Sequence, residues 1–306
     1  MGIIQKKLMI FIIEGKKYKK MEPGVLYLVA TPIGNLDDIS LRAIKTLQSV
    51  DIIAAEDTRQ TIKLLNHLDI KKPMISYHEH NKYDKGKYII QKIKEGNNIA
   101  LVSDAGTPAI SDPGEELVRF AIEDNIKISP IPGAVAGINA LIASGFSTGR
   151  FIFEGFLPMN KRARKERILF VKNDPRTIIF YEAPHKLTYT LNDLYENLGN
   201  RNIVLARELT KKFEEFYRGT LEDAIKKYQE DKPRGEFVLL LEGVSQQELE
   251  KQEQEFWEAF TIEEHVEHYV NKGETEKDAM KLVAKDRKTN KREIYNYMVS
   301  KKKERE

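Results

Sequence analysis

The sequence predicts an α/β protein built of two α/β domains and a small C-terminal helical module, and three observations support this. Over residues 22–145, short apolar stretches alternate with amphipathic segments, which is typical of a parallel sheet flanked by helices. A second run of strands and helices, 146–244, looks more mixed. Beyond residue 256 the apolar pattern is helical throughout.

In the first domain, five apolar stretches are predicted to be strands, and each is followed by a predicted helix. Ser40 is a helix-capping residue before an apolar face, and Asp112, Pro113 and Glu115 also signal a helix start. The predicted strands are 25–30, 52–55, a stretch beginning at 74, 99–103 and 126–131. Five helices are predicted in this domain. The first begins after the cap Ser40 and the second includes residues 62–65. The other three cover 83–95, 113–122 and 133–143.

The second domain is predicted to contain five strands and an amphipathic helix over 185–198. The strands are 151–153, 177–181, 203–206, 213–218 and 237–241. Residues 245–256 hold too few apolar side chains for a core and are predicted to be a linker. Capping boxes at Thr261/Glu264 and Asn290/Glu293 then predict short helices within the module 257–306.

Residues 1–21 stand apart from this pattern. The apolar run 8–13 is short and no small-residue cleavage site follows it, so an extension before the true start, or a disordered tail, fits better than a signal peptide. The chain holds no cysteine, which excludes disulfides and thiolate metal sites. No apolar run is long enough for a membrane span, and we expect a cytoplasmic protein.

Charge is distributed unevenly along the chain. The net charge is +3, yet residues 1–20 and 271–306 each carry +5, which leaves −7 for the body. Basic ends on an acidic body suggest a polyanionic partner. Lys288, Lys291 and Arg292 lie on C-terminal helices that resemble a helix-turn-helix nucleic-acid module. Solvated charge runs and a plain helical packing module are the alternatives.

Small and polar residues follow five strands of the first domain, at 31–35, 56–59, 77–81, 103–108 and 132–133. Carboxyl ends of parallel strands lie on one edge of a sheet, so these loops are predicted to converge on one crevice. The most informative loop is 103–108, where Gly106 lets the backbone approach a ligand and Asp104 offers a carboxylate. An ordinary strand-to-helix turn is the alternative for this loop taken alone.

Several common sites are missing from the sequence. It contains no G-x-G-x-x-G after a strand, no P-loop and no G-x-S-x-G, which argues against dinucleotide sites, P-loop nucleotidases and the serine hydrolase elbow. His78 and His80 alternate as on a strand, with no H-E-x-x-H helix, so we predict no metal. The crevice lacks a nucleophilic Ser–His pair, which favours group transfer from a bound cofactor.

Five motifs resemble the tetrapyrrole methylase family, and in particular its branch that modifies ribosomal RNA. They are 26–36, 54–59, 77–81, 102–108 and 180–186, and the resemblance runs from about Gly24 to Gly243 in the family's order. It implies two α/β domains with a cleft between them that holds S-adenosylmethionine. It also implies 2′-O-methylation of a cytidine in the decoding region of 16S rRNA, and a homodimer.

The same resemblance implies which residues hold the cofactor. Pro32 and Gly34 match a loop near the transferred methyl group. The residues that match the loop around the methionine and ribose parts are Ser103, Asp104, Ala105, Gly106 and Thr107. Further matching positions are Pro132, Gly133, Tyr181, Glu182, Ala183, Ala206 and Arg207. The sequences at 31–34 and 104–108 differ from the glycine-rich motifs of tetrapyrrole-acting relatives, which favours the RNA branch.

Methyl transfer to a hydroxyl needs positioning and a base that takes the hydroxyl proton. The candidate catalytic residues are Glu56, Asp57, Arg59, His78, Glu79 and His80, with Glu182 and His185 as further candidate bases. We expect the base among Glu56, Glu79 and His80, and Arg59 paired with a carboxylate or an RNA phosphate. For each residue taken singly, a structural ion pair or helix cap is the alternative.

Lys161, Arg162 and Arg164 form a basic cluster on a predicted helix, where we expect them to contact RNA phosphates. A solvated helix surface is the alternative for this cluster. Two other functions stay open for the chain: a tetrapyrrole (precorrin-type) C-methyltransferase on the same fold, and a non-catalytic RNA-binding ribosome-assembly factor. The basic C-terminal module argues against the first, and binding of S-adenosylmethionine would argue against the second.

Overall fold

The structure, a computed structural model, describes residues 22–305, and the side chains of all of these except 252, 253 and 302–305. The predicted extension at 1–21 lies outside the described residues. The chain divides into two compact units, one of residues up to Ala140 with Arg207–Glu215, the other of Leu141–Ala206 with the residues from Phe216 onward. The return of Arg207–Glu215 to the first unit is not evident from the order of the sequence. The predicted domain boundaries themselves stay a prediction.

The first unit is built around a five-stranded sheet in which every strand is parallel to its neighbours. Its strands are β1 (Val25–Val29), β2 (Ile52–Ala55), β3 (Met74–Ser76), β4 (Ile99–Val102) and β5 (Lys127–Ile131), in the spatial order β3-β2-β4-β1-β5. The helices are α1 (Leu41–Ser49), α2 (Thr58–His67), α3 (Lys82–Lys94), α4 (Gly114–Glu123) and α5 (Ala136–Ser144). The predicted alternation of strands and helices is confirmed.

Both faces of the inner strands β2 and β4 are covered, which explains why these two strands are continuous apolar runs. In β4, Ile99 and Leu101 belong to an apolar cluster with residues of α3 and α4. Ala100 and Val102, which alternate with them, belong to a second cluster with residues of α1 and α2. The two-residue period of a strand therefore assigns the helices to opposite faces.

The second unit contains a mixed five-stranded sheet, as the less regular pattern of the sequence predicts. Its strands are β6 (Phe151–Phe156), β7 (Thr177–Glu182), β8 (Asn202–Arg207), β9 (Glu215–Thr220) and β10 (Phe237–Leu241), in the order β6-β7-β10-β8-β9. β6 and β7 are parallel, whereas β7 and β10 are antiparallel. Helices α6 (Lys161–Phe170), α7 (Leu187–Leu198) and α8 (Leu221–Glu230) contribute to its core.

Four helices complete the chain: α9 (Gln246–Glu258), α10 (Ile262–Asn271), α11 (Glu276–Asp286) and α12 (Lys291–Arg305). The last three share a small core around Val266, Val283 and Ile294. The predicted capping box of Thr261 and Glu264 is confirmed at the start of α10. None of the helices within 22–305 has the length and apolarity that a membrane crossing requires.

The segment 245–256, predicted to be an irregular linker, is helical. Ser245 caps α9, because its Oγ accepts the Glu248 N–H at 3.1 Å. Side-chain pairs four residues apart, such as Gln254 with Glu258 at 2.8 Å, run along the helix. Low apolar content correctly indicated few core contacts, but a polar sequence with a cap and i,i+4 pairs can still be a helix.

Candidate active site

The loops after β1 and β4 meet at the point where the topology of the first sheet reverses. β1 and β4 are neighbours, but the helices that follow them, α1 and α4, pack on opposite faces of the sheet. Such a switch point leaves a crevice outside the carboxyl ends of the two strands, where open α/β sheets bind ligands. The sequence-predicted loops after β1 and β4 lie here.

Thr31 and Gly106 tie these two loops together. The Thr31 N–H donates to the Gly106 carbonyl oxygen at 2.9 Å, and the Gly106 N–H donates to the Thr31 carbonyl oxygen at 3.1 Å. Gly106 has φ +84°, and a Cβ added there would lie 3.2 Å from Ile33 Cγ2 and 3.3 Å from the Ala134 carbonyl oxygen. A glycine is therefore required both for the backbone angle and for the close approach of three loops.

The hydroxyl groups of Ser103 and Thr107 shape the loop after β4. Ser103 Oγ donates to the carbonyl oxygens of Ala105 and Gly106, at 3.2 and 3.3 Å. Thr107 Oγ1 donates to the Ala134 carbonyl oxygen at 3.0 Å, which joins the β4 loop to the loop after β5. Asp104 and Ala105, between these hydroxyls, are exposed. These bonds fix the loop in a shape that presents 104–105 outward.

The loop after β5 also packs against the end of β1. A Cβ at Gly133 would lie 2.6 Å from the Ala30 Cβ, so this position too admits only glycine without a shift. Pro132 and Gly133 are exposed, and Pro32 on the β1 loop is half-buried. The predicted cofactor positions of the first unit therefore share one edge of the sheet.

An acidic cluster stands at the ends of β2 and β4. The Asp57 N–H donates to Asp104 Oδ1 at 2.9 Å, so the two loops are linked through a carboxylate. Glu56 is half-buried, and its pKa is raised chiefly by burial and then by the negative charges of Asp104 and Asp112. A carboxyl group with a raised pKa holds its proton closer to neutral pH, which suits proton transfer.

Asp57 and Arg59 are engaged with each other. Asp57 caps α2 by accepting the Arg59 N–H at 2.8 Å, and its two carboxylate oxygens accept from Arg59 Nε at 3.1 Å and Nη2 at 2.9 Å. The Arg59 guanidinium lowers the pKa of Asp57. Of the two roles predicted for Arg59, the structure places it on a carboxylate, with a side chain that is still 88% exposed.

The loop after β3 holds the other predicted catalytic residues, at the outer edge of the sheet. Tyr77 is buried and donates its hydroxyl to the Pro113 carbonyl oxygen at 3.0 Å, next to α4. Asn81 Oδ1 accepts the His78 N–H at 2.9 Å, while His78 Nδ1 is buried without a hydrogen-bond partner among the described residues. His80 is exposed, and its ring centroid lies 6.0 Å from that of His78.

Glu79, in the same loop, is 64% exposed and forms an ion pair with Lys82 at 2.5 Å. The structure therefore brings Glu56, Asp57 and Asp104 into one cluster. His78, Glu79 and His80 form a separate group at the end of β3, the edge strand beside β2, two strands from Asp104.

Sequence reasoning missed the contribution of Arg207–Glu215 to the first unit. A Cβ at Gly34 would lie 2.4 Å from Lys211 Cγ and 2.9 Å from Thr210 Oγ1, so this segment packs on the β1 loop. Glu208 and Thr210 have positive φ angles of 51° and 64°. Within 205–210, the family resemblance implies a role only for Ala206 and Arg207. Its two non-glycine residues in the left-handed region left no signal in the sequence.

The predicted cofactor residues of the second unit differ in their availability. Tyr181 is half-buried, and Ala206 is buried in β8. Glu182 is buried, and both of its carboxylate oxygens accept hydrogen bonds within its own unit, from Thr190 Oγ1 at 2.6 Å and from the Ala183 N–H at 2.9 Å. The Glu182 carboxylate therefore joins β7 to α7, and this makes it a poor candidate base.

The basic cluster of α6 is divided between inward and outward residues. Arg164 forms an ion pair with Asp193 at 2.6 Å, and the Arg164 side chain is only 16% exposed. Arg167 pairs with Glu154 of β6. Lys161 and Arg162 are exposed, with Arg162 paired to Glu166 at 2.9 Å. Helix packing directs Arg164 to Asp193 of α7, and the RNA contact expected of this cluster stays a prediction.

The C-terminal basic residues divide in the same way. Arg287 donates from Nη2 to the carbonyl oxygens of Trp257 and Phe260 near the end of α9, and from Nε to His265 Nδ1 at 3.2 Å. Lys288 and Arg292 are exposed, and Lys291 is half-buried. Arg287 thus joins α9 to the following helices, whereas the three residues predicted to bind RNA lie at the surface.

No group of three or more His, Asp or Glu side chains within 22–305 is arranged to hold a metal ion. The site combines a carboxylate cluster with a tight backbone crevice. A crevice at a switch point, lined by closely packed glycines, can hold a small cofactor through backbone groups.

Comparison with known proteins points to one family. The chain matches the family described as Tetrapyrrole (Corrin/Porphyrin) Methylases over residues 25–225. It is 53% identical over 277 residues to the Ribosomal RNA small subunit methyltransferase I of Bacillus subtilis, with 90% of this chain and 94% of the relative covered. A relative of the same name from Halalkalibacterium halodurans is 54% identical over 275 residues, covering 90% and 94% of the two chains.

Solved structures show the same fold at low identity. The methyltransferase CobJ is similar with a TM-score of 0.56 and 18% identity, covering 73% of this chain and 95% of that chain. A uroporphyrin-III C-methyltransferase from Thermus thermophilus, solved with S-adenosylhomocysteine, gives a TM-score of 0.51 and 14% identity, covering 71% and 97%.

Proposed function

Because the chain belongs to the tetrapyrrole methylase family, and to the group of its members named ribosomal RNA small subunit methyltransferase I, we propose that it methylates small-subunit rRNA with S-adenosylmethionine. The specific reaction proposed is methylation of the ribose 2′-hydroxyl of a cytidine in the decoding region of 16S rRNA. The observation that supports this proposal most strongly is the sequence identity of 53% and 54% to these two relatives over 90% of the chain. This identity favours the proposal over a tetrapyrrole C-methyltransferase or a non-catalytic assembly factor.

We propose that the crevice between the β1 and β4 loops holds the cofactor. Gly34 and Gly106 are positions where a Cβ would meet neighbouring atoms within 3.3 Å, so the backbone itself forms the cradle. We propose that Pro32, Gly34, the loop 103–107 and Gly133 hold S-adenosylmethionine. Asp104 is exposed and offers a carboxylate to the cofactor's hydroxyl or ammonium groups.

S-adenosylmethionine, when bound, supplies an electrophilic methyl group on a sulfonium that leaves as a thioether. The protein must then hold the ribose hydroxyl in line with that methyl group, exclude water, and accept the hydroxyl proton as the carbon–oxygen bond forms. We propose Glu56 as the group that accepts the proton. It lies beside the 103–107 loop through the Asp57–Asp104 bond, and burial raises its pKa toward the range useful at neutral pH.

Further parts of the proposal concern partners and location. We propose that the substrate is 16S rRNA or the small subunit, that the protein acts as a homodimer, and that it works in the cytoplasm, where ribosomal subunits are assembled. The exposed Lys288 and Arg292, with Lys291, support a contact of the C-terminal helices with RNA phosphates.

The decisive experiment maps 2′-O-methylation along 16S rRNA from a strain that lacks this chain, with and without a plasmid that restores it. The proposal expects one cytidine of the decoding region to lose its methyl group and regain it on complementation. An unchanged methylation map would contradict it. Isothermal titration with S-adenosylmethionine separates the non-catalytic alternative, for which no binding is expected.

A further inference from the structure

One face of the second sheet presents three aromatic rings in a single cluster. Phe153 and Phe156 of β6 both pack edge-on against Tyr181 of β7, with ring centroids 5.0 and 5.6 Å apart. Phe156 is 57% exposed and Phe153 is 37% exposed. β6 is an edge strand of the sheet, so the cluster lies at its border. Exposed aromatic side chains grouped in this way are typical of binding surfaces.

A β-bulge places the two phenylalanines on the same face. Residues three apart on a regular strand point to opposite faces. The register of β6 against β7 shifts between Phe153 and Gly155, and Gly155 has φ +63°, so one extra residue is inserted. That residue is Glu154, whose 3%-exposed side chain pairs with Arg167 of α6 on the other side. The bulge therefore turns Phe156 toward Tyr181, and bulges commonly re-aim side chains at functional sites.

Positive charge begins directly after the exposed ring. Phe156 is the last residue of β6, and five residues later Lys161 opens α6, a separation of at most about 17 Å along the chain. Lys161 and Lys165 are exposed and lie four residues apart, on one face of the helix. Arg164 pairs inward with Asp193, and Arg167, which is 48% exposed, is paired with Glu154, so the exposed charge of α6 is carried chiefly by Lys161, Lys165 and Arg162.

We propose that Phe156, supported by Tyr181 and Phe153, is a stacking platform for an unpaired nucleobase of the RNA substrate, and that Lys161 and Lys165 contact the adjoining phosphates. This inference rests on the proposed function, since it names how that substrate is held. Single-stranded nucleic acids are bound by this combination of an open aromatic ring and a basic track. An apolar patch for a second copy of the chain would not require lysines at its border.

The test compares Phe156→Ala, Phe156→Tyr and Phe156→Leu with Phe170→Ala. Phe170 is the matched control, because it is a 79%-exposed phenylalanine at the far end of α6. Fluorescence anisotropy measures binding to a labelled oligocytidylate of about ten nucleotides. Methyl transfer to small subunits from the deletion strain gives KM and kcat, and isothermal titration gives the affinity for S-adenosylmethionine.

The platform predicts that Phe156→Ala weakens oligonucleotide binding about 5- to 150-fold and raises KM for subunits. Phe156→Tyr, which keeps the ring, should bind like the wild type, as should Phe170→Ala. Phe156→Leu keeps the apolar volume without the ring and should stay weak. The affinity for S-adenosylmethionine and the sedimentation coefficient should be unchanged in all four variants.

Four results would overturn the platform: unchanged RNA affinity in Phe156→Ala, full binding by Phe156→Leu, a loss of cofactor affinity, or an altered sedimentation coefficient, which would assign the patch to a second copy. The proposed function is judged separately, by methylation of subunits by the wild type. If the wild type methylates and Phe156→Ala matches it in KM and affinity, only the platform fails. If the wild type does not methylate while Phe156→Ala still loses RNA affinity, only the proposed function fails.

Discussion

The two five-stranded sheets of this protein position their exposed functional residues in different ways. In the first, all strands are parallel, and the carboxyl ends of β1 and β4 bring together loops that Thr31 and Gly106 join by backbone hydrogen bonds. In the second, strand directions are mixed, and a bulge in β6 decides which side chains face outward. Parallel topology gathers loops by necessity, whereas a mixed sheet depends on local irregularity.

The polar residues of the two sheets differ accordingly. Near the first sheet, Glu56 and Asp104 form an acidic cluster in which burial and mutual repulsion raise the pKa of Glu56. In the second, the Glu182 carboxylate is fully engaged by Thr190 and Ala183. Chemistry is therefore expected on the first unit and substrate contact on the second, and five predictions follow from this comparison.

The largest effect is expected at Glu56. Glu56→Gln removes the proton acceptor and should lower kcat by about 10²- to 10⁴-fold, the usual contribution of general base catalysis. Because the pKa of Glu56 is raised from the ordinary 4.5, the wild-type rate should fall as the pH decreases through that raised pKa, where Glu56 becomes protonated. The variant should lose this acidic limb in a pH–rate profile of methyl transfer.

The β3 loop provides the comparison for Glu56. Glu79→Ala and His80→Ala are expected to lose methyl transfer while still binding S-adenosylmethionine, and turnover like the wild type in both would remove this loop from the active site. If either variant abolishes the acidic limb and Glu56→Gln retains it, the base belongs to the β3 loop instead.

The next effect concerns the backbone crevice. Gly106→Ala forces a side chain into a left-handed backbone at φ +84° and against Ile33, at a cost of about 1–3 kcal/mol. Cofactor affinity, measured by isothermal titration, should fall about 5- to 150-fold. Gly145→Ala is the control, since φ there is +88° but no atom lies within 4 Å of the added Cβ. Equal losses in both variants would indicate general destabilisation.

A smaller effect is expected in the C-terminal helices. Arg287→Ala removes the bonds to Trp257, Phe260 and His265 and should lower the free energy of unfolding by about 1.5–3 kcal/mol. Trp257 is the single tryptophan and stacks on His265 with ring centroids 3.8 Å apart, so its fluorescence reports this region directly. Lys288→Ala should leave the fluorescence unchanged and weaken RNA binding. A change in fluorescence in Lys288→Ala, together with unchanged stability in Arg287→Ala, would contradict this prediction.

The smallest effect is on salt dependence. Neutralising Lys161 and Arg162 together should reduce the slope of log affinity for RNA against log salt by about one to two. Arg164→Ala should mainly destabilise the fold, because it removes the cation that is paired with the partly buried Asp193 carboxylate. If the salt slope of RNA affinity fell only in Arg164→Ala, then Arg164, and not Lys161 and Arg162, would be the residue that contacts RNA phosphates.

Much of the first unit could be predicted from the sequence because its signals are local or topological. Apolar runs and caps fixed the strands and helices, and a parallel sheet must place the ends of its strands on one edge. The loops 31–35, 56–59, 103–108 and 132–133 therefore followed from their positions after strands. The glycine at 106 was likewise recognisable, since only a close approach or a left-handed angle explains it.

Only the tertiary structure decided which charges are free and which distant segments meet. The contacts of Arg164 with Asp193 and of Arg287 with the end of α9 join residues far apart in sequence, so a basic run alone could not separate inward from outward side chains. The packing of Lys211 on Gly34 and the bulge that turns Phe156 toward Tyr181 have the same origin. The sequence alone determined the periodic elements and the loops that follow them, because hydrophobic burial is periodic along the chain. The pairing of polar groups depends on geometry that exists only after the units have folded.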